Sequence, residues 1–255
     1  MEPKHVMITG ATSGIGRATA LVFAKNGHHL ILTGRRRERL EDLATEISES
    51  YPVNLHLLVF DVREEQACRE AVESLPPAWQ RIDILINNAG LAQGLHPIHE
   101  GLTSDWDTMI DTNIKGLLYM TRLITPSMVS RRDGHIINVA SIAGHEVYPK
   151  GNVYSATKFA VDALTKSMRL DLYTHGVRVS QVSPGHVEET EFALVRFHGD
   201  THKAKIYEDF QPLRSPDVAD AIYFIASRPP HVNIQDIVLM GTQQAGVNFV
   251  DRSGR

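Results

Sequence analysis

Tyr154 and Lys158 lie four residues apart in a run with helical pattern, so the two side chains share one face. A tyrosine with an ordinary pKa of about 10 is a poor proton donor or acceptor at neutral pH, and a neighbouring ammonium lowers that value by favouring the phenolate. Ser141 follows the strand-like run His135–Val139. Its hydroxyl can hydrogen-bond a substrate oxygen and stabilise charge developing there, as an oxyanion donor does. Asn113, in Asp111-Thr112-Asn113, can orient Lys158 through backbone or water. Together the four suit proton transfer at an alcohol or carbonyl oxygen. Taken singly they have plainer readings: a Tyr-x-x-x-Lys pair on a helix surface, and a serine that caps a turn.

A second group could hold a cofactor. The first strand runs through Thr9-Gly10-Ala11-Thr12-Ser13-Gly14-Ile15-Gly16 into a helix. Glycines at such a turn let the backbone approach a pyrophosphate, and the helix start offers free N–H groups and partial positive charge. The second strand ends in Thr33-Gly34-Arg35-Arg36-Arg37, with no carboxylate to repel a 2′-phosphate. Guanidinium groups match phosphate in charge and bidentate geometry, which favours NADP over NAD, with Arg35 and Arg36 as the holding residues and Arg37 in reserve. The alternative is a solvated basic helix start with Arg37 paired to Glu41. Asp61-Val62 and Asn87-Asn88-Ala89-Gly90 end the third and fourth strands, the edge where open α/β sheets bind ligands. Asp61 could accept from an adenine amino group, and the Asn pair could bond backbone around the cofactor. Turn chemistry alone also explains these residues.

The elements that must position these groups alternate short β-branched runs with longer amphipathic ones, the pattern of βαβ units and a parallel sheet. Seven strands are expected, at Val6–Thr9, His29–Thr33, Leu55–Phe60, Ile82–Ile86, His135–Val139, Val177–Val182 and Ile237–Met240. Several are continuous apolar runs, as in strands covered by helices on both faces. Helices are expected at Ile15–Lys25, Arg37–Ser50, Glu64–Leu75, Asp105–Ser130, Asn152–Tyr173 and Pro216–Ser227, with Pro76-Pro77 and Gly176 as stops. The patternless stretch from His186 to Leu213 is longer than an ordinary connection and reads as a functional lid.

Composition narrows the class. With 42% hydrophobic and 22% charged residues the chain is an ordinary globular one, and its length fits a single α/β domain over 1–255. Its 26 basic against 30 acidic residues argue against a nucleic-acid footprint. Cys68 is the single cysteine, which fits a reducing compartment, and the cytoplasm is expected. Neither a signal peptide at Met1–His5 nor a membrane-spanning apolar run is read, so no export and no membrane partner are expected. His96-Pro97-Ile98-His99-Glu100 lacks the helical His-Glu-x-x-His spacing, and no metal is expected.

With these residues in hand, the chain resembles the short-chain dehydrogenases/reductases. The resemblance rests on Thr9-Gly10, Gly14-Ile15-Gly16, Asn87-Asn88-Ala89-Gly90, Asn113, Ser141, Tyr154-x-x-x-Lys158 and Pro184-Gly185, in the family's order and spacing over essentially the whole chain. It implies one Rossmann-like domain with a seven-stranded parallel sheet. It further implies Tyr154 as acid/base, Lys158 on the cofactor ribose and lowering the tyrosine pKa, Ser141 on the substrate carbonyl and Asn113 in a proton relay. Pro184, Gly185, His186, Val187 and Thr190 would then contact the nicotinamide half. A homotetramer is also implied, with interfaces expected around Asn152–Leu172 and Gln243–Arg255.

A narrower resemblance is to NADP-dependent 3-hydroxy acid dehydrogenases acting on serine and allo-threonine. It rests on Asn88-Ala89-Gly90-Leu91-Ala92, Asp105-Trp106, Met109 to Asn113, Gly151-Asn152-Val153-Tyr154, Thr190-Glu191-Phe192, Val195-Arg196-Phe197 and His231 to Ile234. It implies hydride transfer at C3 of a small 3-hydroxy acid, or reduction of the matching 3-oxo acid or semialdehyde. Glu188-Glu189 departs from the small residues expected after Val187. The substrate-end residues are Ser141, Tyr154, His186 and Arg196, with Arg196 or His145 binding the substrate carboxylate. The rival activities are a 3-oxoacyl-carrier-protein reductase docking through Arg131-Arg132 and a short aldehyde reductase of the sulfoacetaldehyde type. A non-catalytic NADP-binding sensor is the rival from another class, and its signature, loss of the serine, tyrosine or lysine, is not present.

Overall fold

The structure, a computed structural model of the chain, describes residues 2–203 and 209–253. Its centre is a sheet of seven strands, all pairing in parallel, in the order β3-β2-β1-β4-β5-β6-β9. The strands are β1 (His5–Ile8), β2 (His29–Gly34), β3 (Leu55–Val59), β4 (Ile84–Asn87), β5 (Gly134–Val139), β6 (Val177–Pro184) and β9 (Asp236–Leu239). Each expected strand is present, with no end shifted by more than two residues. The helices are α1 (Gly14–Lys25), α2 (Arg37–Ser50), α3 (Glu65–Glu73), α4 (Thr103–Ile110), α5 (Leu117–Arg131), α6 (Asn152–Leu172), α7 (Phe192–Arg196) and α8 (Ser215–Ala226).

Alternation along the strands builds two cores. Val6, Ile8, Leu30, Leu32, Ile84 and Ile86 point to one face, into a cluster with Phe23 of α1 and Ile222 of α8. Met7, Ile31, Leu85 and Ile136 point to the other face, into a cluster with Met120 and Ile124 of α5 and Val161 of α6. Because both faces are covered, the strands are apolar throughout. β1 lies between β2 and β4, so the chain crosses over after β3, and the reversal opens a crevice at the carboxyl ends of β1 and β4.

Two regions differ from the sequence expectation. The single helix expected over Asp105–Ser130 is α4 and α5 joined by a π-helical turn, Asp111–Gly116, that contains Asn113. One widened turn hardly disturbs an apolar period read over many residues, which is why the sequence hid it. The stretch from His186 also carries structure. β7 (Val187–Glu188) pairs in parallel with β8 (Leu213–Arg214), and α7 lies between them. Elements of two and five residues are too short to show a period. Part of the expected lid, 204–208, lies outside the described residues.

Buried amides tie the sheet to α6. The register pairs Asn87 with Asn138, and Asn87 Nδ2 donates to Asn138 Oδ1 at 3.0 Å. Asn138 Nδ2 in turn donates to Thr165 Oγ1 on α6 at 2.9 Å. Removing a buried amide leaves its partners unpaired at a cost of about 1–3 kcal/mol. Asn138→Ala should therefore lower the midpoint of thermal unfolding by several degrees, read by circular dichroism, and an unchanged midpoint would contradict the structural weight given to this chain of bonds.

Candidate active site

A cleft of about 360 Å³ opens at the carboxyl ends of β1, β4, β5 and β6. At one end the turn after β1 forms its floor, with Thr12, Ser13, Gly14 and Ile15 in the lining. Gly10 has φ +69°, a left-handed conformation costly for any residue with a Cβ. Asn88 Nδ2 donates to the carbonyl oxygens of Thr9 at 2.9 Å and Gly10 at 3.1 Å, so this asparagine holds the turn in shape. Gly16 lies behind it, packed against Gly10 and Asn88. Helix α1 starts without a capping side chain and with no acidic residue in its first turn.

Cations line the rim beyond the turn. Arg36 Nη2 donates to Thr12 Oγ1 at 2.7 Å and Ser13 Oγ at 3.2 Å, and its Nη1 donates to Glu191 Oε2 at 2.7 Å. Arg35 Nη1 lies 3.6 Å from Asp61 Oδ2, and its side chain is more than half exposed. Arg37, the reserve candidate, is a correction: it points away to Glu41 at 3.7 Å and does not line the cleft. The helical turn directs Arg39 instead, and this residue, not singled out in the sequence, pairs with Glu191. Asp61 is held by Arg63, whose Nη2 donates to Oδ2 at 2.7 Å. Burial alone would raise the Asp61 carboxyl, and the Arg63 hydrogen bonds outweigh that and hold it below its ordinary value. Val62, Ala89 and Gly90 line the wall between.

Midway along, the chemistry-bearing residues converge. Ser141 Oγ accepts the Ala143 N–H at 3.1 Å, so the capping role is real. A hydroxyl accepting one bond keeps its own hydrogen to donate, and Ser141 also lines the cleft. A Cβ on Gly144 would stand 2.7 Å from the Lys158 carbonyl oxygen, so only glycine lets the Ser141 turn lie directly on α6. Lys158 Nζ donates to the Val139 carbonyl oxygen at 3.0 Å, and burial lowers its pKa to about 8. Nζ is 6.0 Å from the centre of the Tyr154 ring, and both side chains are buried. Asn113 Oδ1 accepts from Leu91 N–H at 2.9 Å, while its Nδ2 donates to Leu91 O and Thr157 Oγ1. A Cβ on Gly90 would approach both Asn113 Oδ1 and Lys158 Nζ, so the two groups meet at this glycine.

The far end is built by the segment after β6. Pro184, Gly185, His186, Val187 and Thr190 all line the cleft. His186 N–H donates to Gln244 Oε1 at 2.9 Å, and burial, aided by Arg252 and Arg196, lowers the pKa of its ring. Phe192 packs edge-on against Tyr154, ring centres 5.5 Å apart. Arg196 is 7% exposed, lies 5.7 Å from the Tyr154 ring centre and donates Nη2 to the Tyr148 hydroxyl. Among the described residues its Nε has no partner and no carboxylate pairs with it. Tyr148, whose hydroxyl burial keeps in its neutral form, was not singled out in the sequence. His145 is a second correction: its Nε2 lies 3.0 Å from Ser183 Oγ and 3.5 Å from Asp236 Oδ2, outside the cleft lining. It follows the short 3₁₀ turn Ile142–Gly144, which aims it toward β6 and β9. Glu188 and Glu189 both face Arg214, and Glu189 has φ +57°, a left-handed conformation that glycine adopts far more readily than glutamate.

An uncapped helix start, a guanidinium rim and a buried Tyr–Lys–Ser group lie along one cleft. That arrangement fits a phosphorylated nicotinamide dinucleotide at one side and a small anionic alcohol or carbonyl compound at the other. The short chain dehydrogenase family model matches residues 4–199. An NADP-dependent 3-hydroxy acid dehydrogenase YdfG of Salmonella typhi is 48% identical over 241 residues, covering 94% of this chain and 96% of that protein. Sulfoacetaldehyde reductase 2 of Chromohalobacter salexigens is 47% identical over 250 residues, covering 97% and 98%. The solved closed form of a serine dehydrogenase complexed with NADP+ is 46% identical and superposes with a TM-score of 0.91, covering 97% of this chain and 99% of that one. With the motifs, the sheet order and these matches in agreement, the chain belongs to the short-chain dehydrogenase family.

Proposed function

We propose that this enzyme is an NADP-dependent dehydrogenase acting at C3 of a small 3-hydroxy acid such as serine or allo-threonine, or on the matching 3-oxo acid or semialdehyde. The observation that carries the substrate class is Arg196. A buried guanidinium with no carboxylate partner among the described residues is costly unless an anion completes it, and it stands beside the Tyr154 ring. The names of relatives 47–48% identical point the same way.

When bound, the nicotinamide cofactor accepts or supplies the hydride. Arg35 and Arg36 hold its 2′-phosphate, with Arg39 beside them, and the turn Gly10 to Gly16 with the α1 start receives the pyrophosphate. Asp61, Val62, Asn88, Ala89 and Gly90 form the adenosine wall, and Pro184 to Val187 with Thr190 form the nicotinamide side. In the oxidative direction the Tyr154 phenolate oxygen takes the proton from the substrate hydroxyl. In the reductive direction it returns that proton to the carbonyl oxygen. Lys158 binds ribose and, as an ammonium near the ring, favours the phenolate. Ser141 donates to the substrate oxygen, and Asn113, held by Leu91 and Thr157 beside Lys158 Nζ at Gly90, belongs to the proton relay. Arg196 clamps the carboxylate, and the segment from His186 acts as a lid.

A sulfonate is also an anion that Arg196 can hold, and the 47% identity to sulfoacetaldehyde reductase 2 makes a short sulfonate aldehyde the second reading. Docking of a carrier protein at Arg131-Arg132 has less support, since Arg131 donates to Ile82 O at 2.8 Å and Arg132 to Thr174 O at 3.0 Å. Assembly as a homotetramer is supported by the exposed Phe159, Leu170 and Tyr173 on and just after α6. Cytoplasmic residence is supported by the single, buried Cys68 thiol, and among the described residues no helix is long and apolar enough to cross a membrane.

Two substitutions test the reading by steady-state kinetics with L-serine and NADP+. Tyr154→Phe removes the group that carries the proton and should lower kcat on the order of 10²-fold or more, whereas turnover near the wild-type value would overturn the mechanism. Arg196→Ala should raise KM for serine on the order of 10-fold or more, and an unchanged KM would remove Arg196 from substrate binding.

A further inference from the structure

Glu191 stands at the junction between the cationic rim and the substrate-end helix. Its Oε2 accepts from Arg36 Nη1 at 2.7 Å, and its other carboxylate oxygen pairs with Arg39. Both arginines descend from the end of β2 and the start of α2, while Glu191 immediately precedes α7 on the opposite wall. The contact therefore spans the mouth of the cleft. Arg36 spends its remaining Nη group on Thr12 and Ser13, so its outward donors are already satisfied by a carboxylate. Burial would raise the Glu191 carboxyl, but hydrogen bonds from Arg36, Arg39 and Ser13 outweigh it and keep the group ionised.

We propose that Glu191 occupies the 2′-phosphate position of the rim as an internal anion, and that a bound 2′-phosphate must displace it from Arg36 and Arg39. The proposal rests on the cofactor reading above. It makes Glu191 a residue that moderates the preference for a 2′-phosphate, since only the phosphate has to displace it. A dianionic phosphate with three acceptor oxygens can take the guanidinium donors from one carboxylate, whereas a neutral 2′-hydroxyl cannot. The same carboxylate keeps the rim from holding the nucleotide too tightly, because a free pair of guanidinium groups would attract phosphate more strongly than a pair half neutralised by one carboxylate. Sequence reading placed Glu191 inside a motif but gave it no role. Its meaning depends on two side chains more than 150 residues away in the chain, at separations of 155 and 152.

The test is equilibrium binding, with no turnover involved. Adenosine 2′,5′-bisphosphate and adenosine 5′-monophosphate are titrated calorimetrically into wild-type enzyme and into Glu191→Gln. Glu191 is partly exposed at the cleft, and thermal unfolding checks that the variant is intact. The proposal expects Glu191→Gln to bind the bisphosphate about three- to tenfold more tightly while affinity for the monophosphate stays the same. Glu191→Ala should show the same sign. Bisphosphate affinity that is unchanged or weaker in both variants would overturn the proposal. If wild-type enzyme binds the two nucleotides alike, the cofactor reading fails and the proposal falls with it. If wild-type enzyme prefers the bisphosphate and the variants do not tighten, only the role of Glu191 fails.

Discussion

A lysine ammonium buried under the edge of a β-sheet is the constraint around which this molecule is arranged. Lys158 is 7% exposed, donates to the Val139 carbonyl oxygen and titrates at about 8 because burial disfavours its charge. A buried charge is tolerated only where fixed acceptors and a tight, polar-satisfied shell hold it. The surrounding structure supplies that shell. Gly144 lets the Ser141 turn lie on α6, Gly90 leaves room for Asn113 beside Nζ, and the Asn87–Asn138–Thr165 bonds fix α6 against the sheet. Tyr154, one helical turn earlier, inherits its position from the same helix. The proton chemistry proposed for Tyr154 would thus follow from how one lysine is buried.

The second organising feature is the distribution of positive charge along the cleft. The chain as a whole carries a formal charge of −4, yet guanidinium groups mark both ends of the cleft. Arg35 and Arg36 line one end, with Arg39 joined to them through Glu191, and Arg196 lines the other. Because the lysine lies between them, a phosphorylated cofactor and an anionic substrate would each be drawn to their own end, with the reacting atoms near Tyr154. Helix α7 touches both regions: Glu191 meets the rim just before it, and Phe192 and Arg196 lie against Tyr154.

Much of this was legible in the sequence because the chemistry is local there. The strand–glycine–helix turn, the Tyr-x-x-x-Lys spacing and the apolar strands each depend on a few neighbouring residues. What the sequence could not show depends on distant partners. Arg37 and Arg39 differ by two positions, and only the helical direction of α2 decides that Arg39 reaches Glu191 while Arg37 faces Glu41. Which of Arg196 and His145 lines the cleft depends on the 3₁₀ turn that sends His145 to Ser183. Tyr148 matters through its hydrogen bond to Arg196 across the cleft, which no local pattern signals. The π-helical turn at Asn113 is invisible to periodicity but places that side chain against Leu91 and Thr157.

Comparing L-serine with ethanolamine, which has the same reacting carbinol and amine but no carboxylate, tests the central claim that the cleft pairs a phosphate-holding rim with an anion-holding Arg196 around one Tyr–Lys couple. The measurement is the absorbance of reduced nicotinamide formed by wild-type enzyme, with NADP+ and with NAD+ as oxidant. The account predicts reduction with serine and NADP+, and rates at least on the order of 10-fold lower when either the carboxylate or the 2′-phosphate is missing. Equal rates with ethanolamine, or with NAD+, would contradict it.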